Sequence, residues 1–300
     1  MKVIDEKVLI ETVPVEKRRV ITHDTAFGQP RDFLTNRFVY LVISPRARGL
    51  SIGVNLNPDK LCNFDCLYCE VNHDDSRPVK LDVETMTFEL RKTLAFVREG
   101  RLPERPHYHT LSKELLQLHQ VSLSGDGEPT LAPNFAEAAQ SVIRIRALGE
   151  FPFFKIVLIT NAAGLDRPQV REGLKNLIHS DEIWAKLDCG TQAYLDKINK
   201  SDVPLEKLLE NILSTARERP VVIQSLFATI NGEEPPAEEI REYALRLKEL
   251  KSEGAQIPLV QIYSATRPMA HAECGHLPLK SLSMIAQTVR QVSGLKAEVF

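Results

Sequence analysis

The chain has 300 residues, 43% hydrophobic and 26% charged, which is ample for one sizeable core and ordinary for a globular protein. A net charge of −2 supplies no global basic field for nucleic acid or anionic lipid, and no apolar run is long enough to cross a bilayer. Five cysteines are an odd number for a disulfide framework, and the charged first stretch lacks the apolar core of an export signal, so reduced thiols in a cytoplasmic setting are expected.

Residues 1–49 follow no regular rhythm and read as an N-terminal extension. From residue 50 the chain alternates. LSIGVNL (50–56) reads as a buried strand, and the loop CNFDCLYCE (62–70) follows it. Residues 83–99 have helical apolar spacing and stop at Gly100, a suitable residue just beyond a helix end. Segment 101–118 reads as a loop with a short helix. HQVSLSG (119–125) is the next strand, 134–148 a helix, FKIVLIT (154–160) a strand, and 170–179 the helix behind it. EIWAKLD (182–188), VVIQSLFATI (221–230) and LVQIYSA (259–265) are further strands, and helices are expected near 204–217, 236–253 and 279–293.

These six β/α units, with near-continuous apolar strands, make an α/β fold in one core domain over 50–300. The expected architecture is a partial (β/α)6 barrel of the TIM type, the alternative being an open doubly wound sheet. Either way, ligands belong at the C-terminal ends of the strands. The segments there are the cysteine loop, GDGEPT, TNAAG and LDCG.

Cys62, Cys66 and Cys69 lie within eight positions. A disulfide would use two and strand the third. A structural zinc site wants four ligands, so Cys189, Cys274 or a histidine such as His73 would have to complete it. An iron–sulfur cube held by three thiolates would keep one iron open to a further ligand, and the spacing taken together with the resemblance below favours this reading.

C-x3-C-x2-C with Tyr68 before the last cysteine is the signature of the radical S-adenosylmethionine enzymes. The chain resembles in particular the iron–sulfur oxidoreductases related to the tRNA wyosine-base (4-demethylwyosine) synthases. The resemblance rests on SPRARGLSIGVNLNPDKLCNFDCLYCE, SGDGEPTLAPNF, ITNAAGL, DEIWAKLDCGTQAYLDKIN and QIYSATRP with LPLKSLSMIAQTV, which span most of 38–300. It implies an enzyme with one 4Fe–4S cluster on Cys62, Cys66 and Cys69. Such an enzyme reductively cleaves S-adenosylmethionine to a 5′-deoxyadenosyl radical and draws electrons from a small flavodoxin- or ferredoxin-type protein.

The same resemblance makes Gly125, Asp126, Gly127 and Glu128 the segment that takes the cofactor's amino group. Asn161 becomes a polar residue near the cofactor, Lys186 and Asp188 contacts to its carboxylate or ribose, and Tyr68 a neighbour of the adenine. Gln224, polar inside an apolar strand, is a further cofactor-site candidate. Independently, a lysine inside an otherwise buried strand needs an anion.

The chain departs from the wyosine synthases, which act on a tRNA guanosine with pyruvate and carry extra N-terminal cysteines, because no cysteine precedes Cys62. With 38 basic against 40 acidic residues, strong binding of bulk tRNA is not expected, although short basic patches occur at 17–19 and 46–48. The substrate is therefore open between an RNA base and a peptide or protein, as for an activase, and a non-catalytic zinc or iron–sulfur module is the reading from a different class. His107 and His109 read as an exposed loop. His271, Cys274 and His276 form a compact soft-ligand group, and Cys189 is either a packed small residue or a rim thiol.

Overall fold

The computed structural model describes residues 33–73, 79–265, 269 and 271–300; the basic patch at 17–19 lies outside them. Ten strands are present among the described residues: β1 (Val39–Ser44), β2 (Gly49–Asn55), β3 (Leu118–Ser124), β4 (Lys155–Thr160), β5 (Glu182–Lys186), β6 (Val221–Leu226), β7 (Ala228–Ile230), β8 (Val260–Tyr263), β9 (Cys274–His276) and β10 (Ala297–Val299). Eight of them form one sheet in the order β1-β2-β3-β4-β5-β6-β8-β10, and β7 pairs with β9 in a separate ribbon. Within the large sheet only β1 is antiparallel to its neighbour.

Neighbours in this sheet follow chain order without reversal, so right-handed crossovers carry every connecting helix to the same side. A doubly wound sheet would reverse its order once. The result is a curled half-barrel, the partial TIM-like barrel that the six β/α units predict. The helices are α1 (Val83–Arg98), α2 (Phe135–Ala147), α3 (Pro168–Leu174), α4 (Gln192–Ile198), α5 (Leu205–Glu218), α6 (Ala237–Ser252) and α7 (Leu279–Ser293). The start of α1 is capped by Asp82, which accepts from the Thr85 amide at 2.6 Å, and the chain leaves it through Gly100 at a φ of +70°.

Four local differences from the sequence reading stand out. Part of the N-terminal extension, β1, is the edge strand of the core sheet, its backbone paired with β2 from Val39 to Ser44. The expected strand over 221–230 breaks after β6, because the chain there leaves the sheet to pair with β9. Two short elements, α4 and β10, carry too few residues for a period to be visible. In 101–118 the only helical piece is a 3-10 turn, Leu102–Glu104.

The two faces of the sheet differ. Ile52, Val121, Leu158, Ile183, Ile223 and Ile262 point outward into one continuous core with the helices. The concave face instead carries buried polar side chains: Ser51, Gln120, Ser122, Gln224 and Gln261. Its apolar content includes a small separate island of Val157, Trp184 and Val222.

Candidate functional site

At the C-terminal mouth of the half-barrel, the loop after β2 holds the three cysteines, each partly exposed. Its far side is pinned to the turn that ends α4: Asp65 and Leu67 donate to the carbonyls of Asn199 and Ile198 at 3.0 and 2.9 Å, and the Asp202 amide donates to Asn63 at 3.1 Å. Its near side is pinned to the segment after β3. The Glu128 amide donates to the Leu61 carbonyl at 2.9 Å. A Cβ on Gly127 would lie 1.9 Å from that same oxygen, and one on Gly125 would lie 2.4 Å from Asn57 Oδ1. The glycines of GDGE are thus required for close contact with the cysteine loop itself. Asp126 is tied to the same region, accepting from Asn55 Nδ2 at 2.6 Å.

Burial pushes the Cys62 thiol up to about 12, opposed by the Phe64 amide and reinforced by the negative charges of Glu128, Cys66 and Cys69. Burial likewise pushes Cys66 up to about 12 against the pull of the Lys186 ammonium and the Asn199 amide, and it raises Cys69. Three thiols crowded this way hold their protons unless a strongly cationic group shares the site. Two of the sulfurs already accept hydrogen bonds, Cys62 from the Phe64 amide at 3.4 Å and Cys66 from Asn199 Nδ2 at 3.3 Å. Cys69 Sγ lies 3.5 Å from His73 Nε2. Among the described residues no group of three His, Cys, Asp or Glu side chains is arranged to hold a single metal ion. This donor set, three soft sulfurs of which two accept N–H groups, fits an iron–sulfur cluster.

Glu128 is buried, and its carboxylate is fully engaged by the protein. Oε1 accepts from Thr130 N, Thr130 Oγ1 and Thr160 Oγ1 at 3.0, 2.7 and 2.5 Å, and Oε2 accepts from the Asn161 amide at 2.7 Å. Burial raises its pKa despite these four donors. The residue ties the end of β3 to the end of β4 and orients Asn161, whose Nδ2 reaches Asn63 Oδ1 in the cysteine loop at 2.9 Å.

Across the mouth lies a second network. Asp188 is buried; its Oδ1 accepts from the Leu226 amide at 2.7 Å, and its Oδ2 accepts from the Tyr68 hydroxyl and from Asn199 Nδ2 at 3.0 Å. Burial, and then the Asp188 charge, push the Tyr68 hydroxyl well above its ordinary value, so it remains a donor. The Lys186 ammonium sits 3.7 Å from Asp188 Oδ2, 3.2 Å from the Tyr263 hydroxyl and 4.8 Å from the centre of the Tyr68 ring. Burial works against this ammonium, but Asp188, Tyr263 and Cys66 outweigh it and hold the amine above its usual value. This is the anion partner that a lysine in a buried strand requires. Gln224 is the neighbour of Lys186 in register and donates to Gln261 Oε1 at 3.1 Å.

Tyr68, Lys186 and Asp188 therefore converge on Cys66, whereas Glu128 and Asn161 reach the cysteine loop from the opposite side. Of the other cysteines and histidines, His73 reaches Cys69 and His271 reaches Asp65 in the same loop, and the rest lie elsewhere. Cys189 is fully buried in the outward core, where burial and then Asp188 raise its thiol well above the ordinary value. Cys274 lies buried on β9; His271 faces Asp65 at 3.8 Å and His276 the Ala265 carbonyl at 3.1 Å. His107 and His109 are exposed. Sequence reasoning missed Asn199 and Tyr263. Both stand in segments that carried the resemblance, but nothing in their own residue type or spacing singles them out.

The fold is similar to that of solved radical S-adenosylmethionine enzymes. It is similar to a radical SAM methyltransferase from Sphaerobacter thermophilus, with a TM-score of 0.63 and 18% identity over 87% of this chain and 68% of that one. It is also similar to TYW1 solved with a lysine–pyruvate adduct bound, with a TM-score of 0.56 and 14% identity over 86% and 85% of the two chains. Among curated proteins it is similar to a UPF0026 protein of Methanocaldococcus jannaschii, 27% identical over 174 residues, which are 57% of this chain and 47% of that protein. The match thus spans about half the length of that relative. No protein-family model matches the chain. Among the described residues no helix is long and apolar enough to cross a membrane.

Proposed function

We propose that this chain is a radical S-adenosylmethionine enzyme holding one 4Fe–4S cluster on Cys62, Cys66 and Cys69. The observation that carries the reading is the mutual locking of the cysteine loop and the GDGE segment, through Gly127 and Leu61, at the C-terminal mouth of a half-barrel. When bound, the cluster and S-adenosylmethionine together supply a reductively generated 5′-deoxyadenosyl radical, which removes a hydrogen atom from substrate.

The protein's own part is orientation and electrostatics. The Asn199 and Phe64 N–H groups bond two ligand sulfurs, one of the levers by which a protein sets cluster potential. The Tyr68–Asp188–Asn199 network fixes the back of the Cys66 position, and Lys186 presents a cation toward the same space. Glu128, its carboxylate occupied by four donors, holds the Asn161 end of β4 against the loop instead of offering a free charge. A small flavodoxin- or ferredoxin-type protein is the expected electron donor. Bulk tRNA is not the expected ligand, given 38 basic against 40 acidic residues.

Anaerobic reconstitution tests the proposal: about four irons and four sulfides per chain are expected, with release of 5′-deoxyadenosine after reduction in the presence of S-adenosylmethionine. Cys66→Ala is expected to lose the cluster, whereas Cys189→Ser together with Cys274→Ser retains it. Full iron and sulfide content in Cys66→Ala would overturn the reading.

A further inference from the structure

Tyr263, at the end of β8, separates two cations. Lys186 stands on one side, 3.2 Å from the hydroxyl and partnered by Asp188. The other is Arg46, in the turn between β1 and β2, with its guanidinium carbon 4.0 Å from the Tyr263 ring centre. Arg46 has no carboxylate partner among the described residues, and its Nε is buried without any hydrogen-bond acceptor. Beside it a cavity of about 170 Å³ opens on the concave face, lined among others by Arg46, Tyr263, Gln120, Ser51, Ser122 and Trp184.

Gln120 also lines this cavity and is 1% exposed. Its Nε2 donates to Ser122 Oγ at 2.8 Å and to Ser51 Oγ at 3.3 Å, which fixes the direction of the amide. Its Oε1 is left buried with nothing to accept. Arg46 Nε and Gln120 Oε1, each buried without a partner on a residue that lines this one cavity, each carry a desolvation cost. The rest of the concave face is handled differently: Gln224 and Gln261 bond each other, and Ser51 bonds Ser122 at 2.9 Å.

We propose that this cavity is a substrate subsite for an anionic head, a carboxylate or phosphate, on a molecule that also carries an N–H or O–H donor. Arg46 binds the anion, whose charge a guanidinium suits through its planar fork, and Gln120 Oε1 accepts the donor. Arg46 is thus a specificity residue contributed by the turn that precedes the first parallel strand. The cavity lies below the roughly 300 Å³ of common ligand pockets, so it takes a small acid or the acidic end of a larger molecule. Arg46 over the Tyr263 ring and Lys186 at its hydroxyl contact the same side chain, which links the cavity to the rim. Only the word substrate rests on the radical enzyme reading; the binding itself does not.

Trp184 lines this cavity and is the only tryptophan in the chain, so its fluorescence reports the site directly. The full chain is titrated with lactate, with inorganic phosphate and with uncharged glycerol, before and after cluster reconstitution and without S-adenosylmethionine or reductant. At least one anion is expected to give a saturable change, and whichever binds more tightly identifies the head group. Arg46→Met, which keeps an apolar stem over Tyr263, is expected to weaken that binding at least tenfold; Arg46→Gln serves if the Met variant does not fold. The proposal is overturned if neither anion saturates, if glycerol matches them, or if removing the guanidinium leaves binding within twofold. Failure of cluster assembly in the same protein would overturn the enzyme reading and leave this result standing.

Discussion

The outward and concave faces of one sheet are built to opposite rules. Outward positions such as Leu158, Ile183 and Ile223 are fully buried aliphatic side chains packed on helices. The alternate face carries Lys186, Gln224 and, on neighbouring strands, Gln120 and Gln261, beside an apolar group of Val157, Ile159, Trp184 and Val222. Polar groups at those depths contribute little net stability even when bonded. Their presence on five strands, β2, β3, β5, β6 and β8, motivates the proposed ligand role of this face. One face packs on the helices, and the other lines the proposed site.

The sharpest way to break this contrast is at the rim, where the two rules meet. Asp188→Ala strands the Lys186 ammonium and removes the acceptor shared by Tyr68, Asn199 and Leu226. It is expected to destabilise the chain by about 3–5 kcal/mol in anaerobic urea unfolding. On the outward face Leu158→Ala leaves a cavity against the helices and is expected to cost about 2–5 kcal/mol by the same measurement. On the concave face Gln224→Leu combined with Gln261→Leu removes both partners of one hydrogen bond. It is expected to stay within about 1 kcal/mol of the parent. A loss as large as that of Leu158→Ala would mean that the concave polar row is structural, and the contrast would fail.

Much of the fold was legible because each strand's two-residue period and each helix's apolar stripe are written within a few consecutive positions. The reading of near-continuous apolar strands singled out Lys186 and Gln224 but not the row they form with Gln120 and Gln261 on the concave side. Gln120 sits in the mixed strand LHQVSLS and Gln224 and Gln261 in mostly apolar ones, and a polar residue in one short strand does not reveal its neighbours in register. The edge strand β1 was equally hidden. VYLVIS is a good strand on its own, but only pairing with β2 attaches it to the core.

By itself the sequence determined the cysteine loop, the GDGE segment and the strand ends that carry Asn161, Lys186 and Asp188, because each is a local motif at the close of a local element. Which of these residues touch was decided only by the tertiary structure. Tyr68 meets Asp188 across 120 positions, and Asn199 meets Cys66 across 133. Arg46 and Tyr263, more than 200 positions apart, enclose a cavity that exists only because the sheet curls. The order and curvature of the strands set these distances. They arise from the sum of all crossovers and the packing of every helix on the outer face, a property that no single stretch of chain contains.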